Sequence, residues 1–523
     1  MTYNSVYFVA FFLVFLLVIS LMPGSRSRQA VLFAANLFFY LSAGNLSCLV
    51  ILFASFAVTY YAALRIGKIY ASYDEERTGL TAKEAALLLG SYKKRAFKIL
   101  LPALIFVFGI LIFVKAGRLL SFEEVFSFRD FGFSKVLIPL GISYYTFSAA
   151  GYMLDVYWRK TKPKKNGFLL AVCMTNFLTI VQGPIMKYDR LIRQLEDLPG
   201  FSYERMADGL SLMLWGFMKK MIVADRLSIY YTTVFGKLGH YAGIEVILAV
   251  LANVLCLYAD FSGCMDIVKG AGECIGLTLD DNFRQPFFSK SAAEFWRRWH
   301  ITLGQWFRDY VYMPIAMSPR FMKMGFAIRK KYGPKASQIT STALPLMVVW
   351  ILTGIWHGTG WGYFIWGIYW GGLIIMAEVL RPWFEKTAAF FSIDRDSSWY
   401  QIFQMARTFC LFAVGRMLTA MHSPKGVVWI SRRIVKELRL WRLFDGGLYN
   451  MGLDQSNFRL ALFGVLLIWI VDILQSRMRV RDFIGRQPLV IRWLLFYTGI
   501  AAVVIFGIYG SAYDASSFIY GAF

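Results

Sequence analysis

Charge is scarce in this chain of 523 residues: 17% are Asp, Glu, Lys or Arg, against 58% hydrophobic and 18% aromatic. Soluble globular domains hold about 45–50% apolar residues, so a cytosolic protein is excluded. Acid is scarcer than base, 32 Asp and Glu against 56 Lys and Arg, which leaves +24. In a soluble protein that excess would suggest nucleic acid. Here it has a simpler cause, because cytoplasmic loops of membrane proteins accumulate Lys and Arg, and no nucleic-acid partner is expected. The six cysteines (Cys48, Cys173, Cys256, Cys264, Cys274, Cys410) sit mostly in apolar stretches and lack the paired spacing of a zinc site or disulfide framework. Neither a metal nor a disulfide is expected. Histidine is rare as well, with four in all, and two of these, His300 and His357, lie in strongly aromatic sequence.

What is plentiful is apolar sequence, recurring from Phe8 to Ile508. At roughly 20 residues per crossing plus loops, the length accommodates about 10–13 membrane segments. The expected fold is all-α and polytopic, a single membrane-embedded domain over residues 1–523. N-terminal spans occupy 1–165, a core with both histidines 166–400, C-terminal spans 401–510 and a short tail 511–523. The first run, Val6 to Met22, has no basic residue before it, no small-residue cleavage site, and Arg26 and Arg28 after it. It reads as an uncleaved span with its N-terminus outside. Further spans are expected at Ala30–Ser42, Leu46–Leu64, Ile99–Val114 and Val136–Leu154. The basic stretches Arg65–Lys98 and Arg159–Lys165 then lie inside, and Glu123, Glu124 and Asp130 outside. From Leu169 to Lys335 the apolar runs are shorter, interrupted by Gly183-Pro184, Lys219-Lys220, Asp260 and Pro286. Broken or re-entrant helices are expected there, and such backbone is tolerated at membrane depth only when buried in protein or lining a wet cavity. Later spans are Thr408–Thr419, Phe458–Leu474 and Trp493–Tyr509. Arg477, Arg479, Arg481, Arg486 and Arg492 put the last loop in the cytoplasm and the tail outside.

Residues 296, 299, 300, 303, 307 and 310 fall at helical spacing and predict one aromatic face carrying His300. Arg297, Arg298, Gln305 and Arg308 point away from it, as on an amphipathic or re-entrant helix at the cytoplasmic interface. Two readings stand: an active-site histidine with basic residues for a donor's phosphates, or interfacial tryptophans around a hydrogen-bonded core histidine. His357 is sharper. It ends Leu352-Thr353-Gly354-Ile355-Trp356-His357 and is followed by Gly358, Gly360 and Gly362, which split the long run Leu344–Leu380 into two half-elements. Burial there disfavours the charged imidazole. A neutral intramembrane imidazole at a glycine break suits a general base acting on a hydroxyl, and a packing role is the alternative. Asp155, Asp260 and Asp266 are read as helix-joining partners.

Together the two histidine segments resemble the membrane-bound O-acyltransferase (MBOAT) family, in its bacterial polysaccharide branch of alginate O-acetyltransferases and the teichoic acid D-alanyl transferase. The resemblance rests on Gly141-Ile142-Ser143-Tyr144-Tyr145-Thr146-Phe147, Asp155-Val156-Tyr157, Gly183-Pro184-Ile185 and Asp260-Phe261-Ser262-Gly263. It continues through Asn282-Phe283, Phe295-Trp296-Arg297-Arg298-Trp299-His300, Arg308-Asp309-Tyr310 and Trp356-His357-Gly358. It implies a many-helix fold around a central funnel, with His357 as the essential histidine and His300 as the second. A cytoplasmic acyl thioester, acetyl-CoA or a phosphopantetheinyl carrier protein, would be the substrate, with no tightly bound cofactor. Trp370 departs from the pattern, standing where many alginate-type relatives carry another histidine.

Phe518-Ile519-Tyr520-Gly521-Ala522-Phe523 has the form F-x-Y-x-x-F. It resembles the acyl-carrying C-terminal motif of such transferases or their small companions, which would make Tyr520 a covalent relay; an aromatic interfacial anchor is the alternative. A phenol, pKa about 10, is a leaving group close to a thiol at about 8.5, so its ester can pass an acyl group on. The implied activity is plasma-membrane O-acylation of an extracellular or cell-wall polysaccharide, with acetyl preferred. An extracytoplasmic serine hydrolase-like transferase would be the partner, amid membrane lipids. D-alanyl transfer to teichoic acid is the alternative within the family. A polysaccharide or lipid transporter, or a non-enzymatic subunit of a polymer synthase, are those outside it.

Overall fold

The computed structural model describes residues 1–43, 46–119, 139–358, 360–421 and 424–509. Among them the regular structure is helical, apart from one isolated antiparallel bridge, Phe283 with Trp299. The protein is an all-α polytopic membrane protein. Among the described residues seven helices are long and apolar enough to cross a membrane, and the uncharged, mostly apolar helix Val6–Leu21, of 16 residues, falls just short of that length. The chain divides into two compact units, Met1–Met213 with Val268–Asp280, and Leu214–Ile267 with Asp281–Phe523.

The first unit opens with helices α1 (Val6–Leu21), α2 (Gly24–Ala43), α3 (Leu46–Glu76) and α4 (Ala82–Leu119). Ser5 starts α1 by accepting the Phe8 N–H at 3.1 Å, which satisfies one of the amides a helix start leaves open. Helices α3 and α4 run well past the apolar limits at Leu64 and Ile99, so most of Arg65–Lys98 is helix rather than loop. The charged ends are held by polar contacts: Arg159 forks onto both Asp74 oxygens at 2.6 and 2.9 Å, over the rings of Tyr70 and Tyr73. After α5 (Ile142–Tyr157) the helices shorten, as the interrupted apolar pattern predicts. α6 (Gly167–Thr175) stops at Asn176, and a single turn, Phe177–Ile180, resumes in a new direction. Asn36 of α2 closes this break, donating to Val172 O at 3.3 Å and accepting Phe177 N–H at 3.0 Å. A buried break needs such a partner, because no water reaches its orphan amides.

The second unit holds most of α7 (Gly243–Cys274), the short helices α8 (Ala292–Arg298) and α9 (Ile301–Phe307), and the long helices α10 (Pro319–His357) and α11 (Trp361–Phe390). α12 (Ser398–Ala420), α13 (Gln455–Gln475) and α14 (Leu489–Phe506) complete it. α10 is kinked at Gly333, whose φ of +87° before Pro334 suits glycine alone. Two π-helical turns, Met218–Ala224 and Arg308–Tyr312, interrupt the α pattern.

Candidate active site

The 295–310 segment is not the continuous helix its spacing predicts. α8 ends at Arg298, Trp299 is extended, and His300 sits in the left-handed region at φ 48°, ψ 51°, before α9 begins. The cause lies upstream, at Asn282. Its carbonyl accepts the Ile301 N–H at 3.1 Å, and Arg284 N–H bonds Arg298 O at 2.9 Å. Its side-chain oxygen accepts from Thr302 twice, from the backbone N–H at 3.0 Å and from the hydroxyl at 2.7 Å. Residues 282–284 thus bind 298–302 as a strand would, capping α9 and turning His300 out of the helical path. The consequence is positional: Trp299 and His300 are both buried, at 2% and 3% exposure.

The His300 ring stands edge-on to Phe261 of α7, centroids 4.9 Å apart, and its Nδ1 lies 3.5 Å from Asn282 Oδ1. An amide oxygen only accepts, so this long contact favours the tautomer with its proton on Nδ1 and a lone pair on Nε2. His300 is outside the seven candidate spans, and burial pushes its pKa down to about 3. The ring is neutral near pH 7.

His357 is the last residue of α10, with Gly358 beyond it and α11 starting at Trp361. The two half-elements meet at the histidine as the glycines predict. Their packing depends on missing side chains. A Cβ on Gly354 would overlap the Tyr363 carbonyl oxygen, one on Gly358 the Tyr363 ring, and one on Gly367 the Trp350 carbonyl oxygen. Small residues at four-residue spacing let membrane helices approach closely. The His357 ring, 6% exposed, lies edge-on to Trp366 at 5.1 Å and beside Trp356 at 4.8 Å.

Trp356 is the common neighbour, its ring also 6.1 Å from His300. A second aromatic path joins the segments, because Trp296 stands perpendicular to Trp366 at 5.4 Å and to Trp370 at 5.1 Å. Trp370 is fully buried, stacked against Phe295. The structure therefore brings His300, His357, Trp296, Trp299, Trp356 and Asn282 into one aromatic cluster. Arg297 is exposed, and Arg298 pairs with Glu294 at 2.7 Å. Arg308 pairs with its neighbour Asp309 at 3.0 Å on the π-helical turn, with most of its side chain exposed. Asp260 lies in a buried ion network, 2.6 Å from Lys220, which also meets Asp225 at 2.9 Å. Lys219 reaches Asp266 at 2.5 Å and Ser262 at 2.9 Å. In the sequence these lysines stand only as interruptions of an apolar run; in the structure they are the partners of Asp266 and Asp260. Asp472, the one acid of α13, is buried as well. Tyr520 lies outside the described residues.

Residues 173–327 match the membrane-bound O-acyltransferase family, a stretch that includes His300 and ends before His357. The chain is 29% identical to the probable alginate O-acetylase AlgI of Azotobacter vinelandii over 384 residues, 73% of this chain and 69% of that protein. With AlgI of Pseudomonas aeruginosa it shares 30% identity over 384 residues, 72% of this chain and 66% of that protein. The teichoic acid D-alanyltransferase of Bacillus subtilis is 28% identical over 251 residues, 47% of this chain and 60% of that protein.

Proposed function

The chain belongs to the membrane-bound O-acyltransferase family and is an acyltransferase, and from that premise we propose that it carries an acetyl group from a cytoplasmic thioester to the O-acylation of an extracytoplasmic polysaccharide. The observation that carries this reading is the meeting of two buried histidines in one aromatic cluster, with His357 at a glycine-split helix end and Trp356 beside both rings. Relatives named for alginate O-acetylation support a polysaccharide acceptor and acetyl as cargo.

In the proposed reaction, His357 takes the phenolic proton of Tyr520 as that oxygen attacks the thioester carbonyl. The C–O bond forms, the C–S bond breaks, and the departing thiolate recovers the proton from the imidazolium. His300, neutral and fixed by Asn282, orients the base or meets developing charge. Acetyl-CoA or a phosphopantetheinyl carrier protein supplies the thioester. An extracytoplasmic serine hydrolase-like partner moves the acyl group from the tyrosyl ester to a sugar hydroxyl. The described chain ends close to where Ile508 N–H donates to Met221 O at 3.3 Å, a carbonyl of the π-helical turn that carries the buried lysines.

The test is purified protein given radiolabelled acetyl thioester, followed by mass analysis of the C-terminal peptide. An acetyl increment on Tyr520, lost in Tyr520→Phe and His357→Ala, supports the relay. An alanyl increment with an alanyl donor in its place would reassign the cargo. If the protein never takes up label, and both variants leave polymer acylation unchanged, the reading is wrong.

A further inference from the structure

The second unit contains a buried polar pair that the proposed reaction does not use. Asp472, the lone carboxylate of α13, accepts the Tyr258 hydroxyl of α7 at 2.8 Å, and both side chains are buried. An ionisable residue within a candidate span is costly there and needs a reason. The Tyr258 ring explains where the bond leads. It stands edge-on to Phe283 at 5.9 Å and to Phe287 at 5.0 Å, and lies against Trp299 at 6.1 Å. Phe283 and Trp299 are the two residues of the isolated bridge, edge-on to each other at 4.9 Å, and they immediately follow Asn282 and precede His300. The Tyr258 and Phe287 rings thus back the short strand-like contact that holds His300 in its left-handed conformation, and the Tyr258 hydroxyl is pinned from behind by Asp472.

We propose that Tyr258 and Asp472 are positioning residues for His300. The carboxylate fixes the tyrosine ring, the ring fixes the Phe283–Trp299 bridge, and the bridge sets the direction of the imidazole. The inference rests on His300 belonging to the reacting centre, and it requires the hydrogen bond rather than the charge. An uncharged acceptor of the same shape should therefore serve. A proton relay or a charge-based role would instead need the carboxylate itself.

Full-length protein in lipid nanodiscs is compared with its Tyr258→Phe, Asp472→Leu and Asp472→Asn variants by two measurements. In hydrogen–deuterium exchange, the peptide covering residues 282–303 should exchange faster in Tyr258→Phe and Asp472→Leu and as in the parent in Asp472→Asn. In acyl transfer from acetyl thioester, the first two should lose at least about 10-fold in kcat, since a misplacement of about 1 Å can cost 100-fold. Their donor KM should stay within about twofold, and Asp472→Asn should recover most of the rate. Unchanged exchange in both disrupting variants overturns the proposal, and so does Asp472→Asn behaving like Asp472→Leu. A parent protein that transfers no acyl group sinks the acyltransfer scheme instead, and the exchange comparison still decides whether the pair holds the His300 segment.

Discussion

His300 is the clearest case of a residue whose backbone and side chain make separate contributions. A non-glycine residue in the left-handed region is strained by about 1 kcal/mol, so His300→Gly should melt above His300→Ala by about that amount while both lose the imidazole's part in transfer equally. Thermal unfolding in detergent beside an acetyl-transfer assay separates the two effects, and equal melting would mean the contact with Asn282 imposes no strain. Burial gives the same residue a pH signature. Its pKa falls from 6.5 to about 3 in the folded protein, so as pH drops below about 6.5 the unfolded chain takes up the proton first and the folded state loses ground. The loss is absent above that pH and reaches about 2 kcal/mol at pH 5, at about 1.4 kcal/mol per unit. Between pH 7.5 and 5 the parent should lose more thermal stability than His300→Ala, and equal losses would remove the ring as the cause.

Between α10 and α11 the packing is set by atoms that are absent. A methyl on Gly354 would strike backbone that cannot swing aside, whereas Gly372, further along α11, faces open space. Gly354→Ala should therefore cost about 1–3 kcal/mol and shift the thermal midpoint and size-exclusion profile, while Gly372→Ala leaves both unchanged. A neutral Gly354→Ala would mean the helices part at no cost and that His357 is not held by them. This break was legible in the sequence, because glycines crowded after an apolar run with a terminal histidine are a local signal. The short helices between Gly167 and Glu196 were legible for the same reason, but Asp260, expected to interrupt a helix, lies inside the unbroken 32-residue α7, where its pairing with Lys220 makes the charge tolerable. The break at Trp299-His300 was not legible. Its local spacing fits a helix well, and what overrides it is Asn282, 18 residues upstream, whose carbonyl and amide compete for the first N–H groups of α9. Asp260 and Asp266 were legible as helix-joining residues, but not that Lys219 and Lys220 are what they join, nor that Tyr258 meets Asp472, since each pair links distant parts of the chain. Aromatic identity in 295–310 marked the site, but the tryptophans from 350, 366 and 370 that complete it come from other helices.

For the molecule as a whole, the +24 charge turns into a question of sides. α13, with 21 residues, is about 31 Å long, enough for one crossing, so the chain before Gln455 and the chain after Gln475 face opposite compartments. Both are basic: the amphipathic helix Pro424–Lys436 and its continuation carry Lys425, Arg432, Arg433, Lys436, Arg439 and Arg442, and the other side carries Arg477, Arg479, Arg481, Arg486 and Arg492. The positive-inside rule cannot be obeyed by both. The acyl relay needs the arginine loop inside, because only then does α14 deliver the tail to the outer side where the polysaccharide is modified. In that orientation the segment before α13 would lie on the outer face, where exposed Val428, Trp429, Val435 and Trp441 beside cations would suit the headgroup region of a lipid leaflet. Five of the six cysteines are buried and Cys410 is exposed, so a Cys410→Ser background allows single reporters to be read. In intact cells a membrane-impermeant maleimide should label Lys436→Cys at once and Arg486→Cys only after the inner face is opened. The reverse pattern would leave Tyr520 on the same side as the thioester, and an acyl group placed on it would not have crossed the membrane.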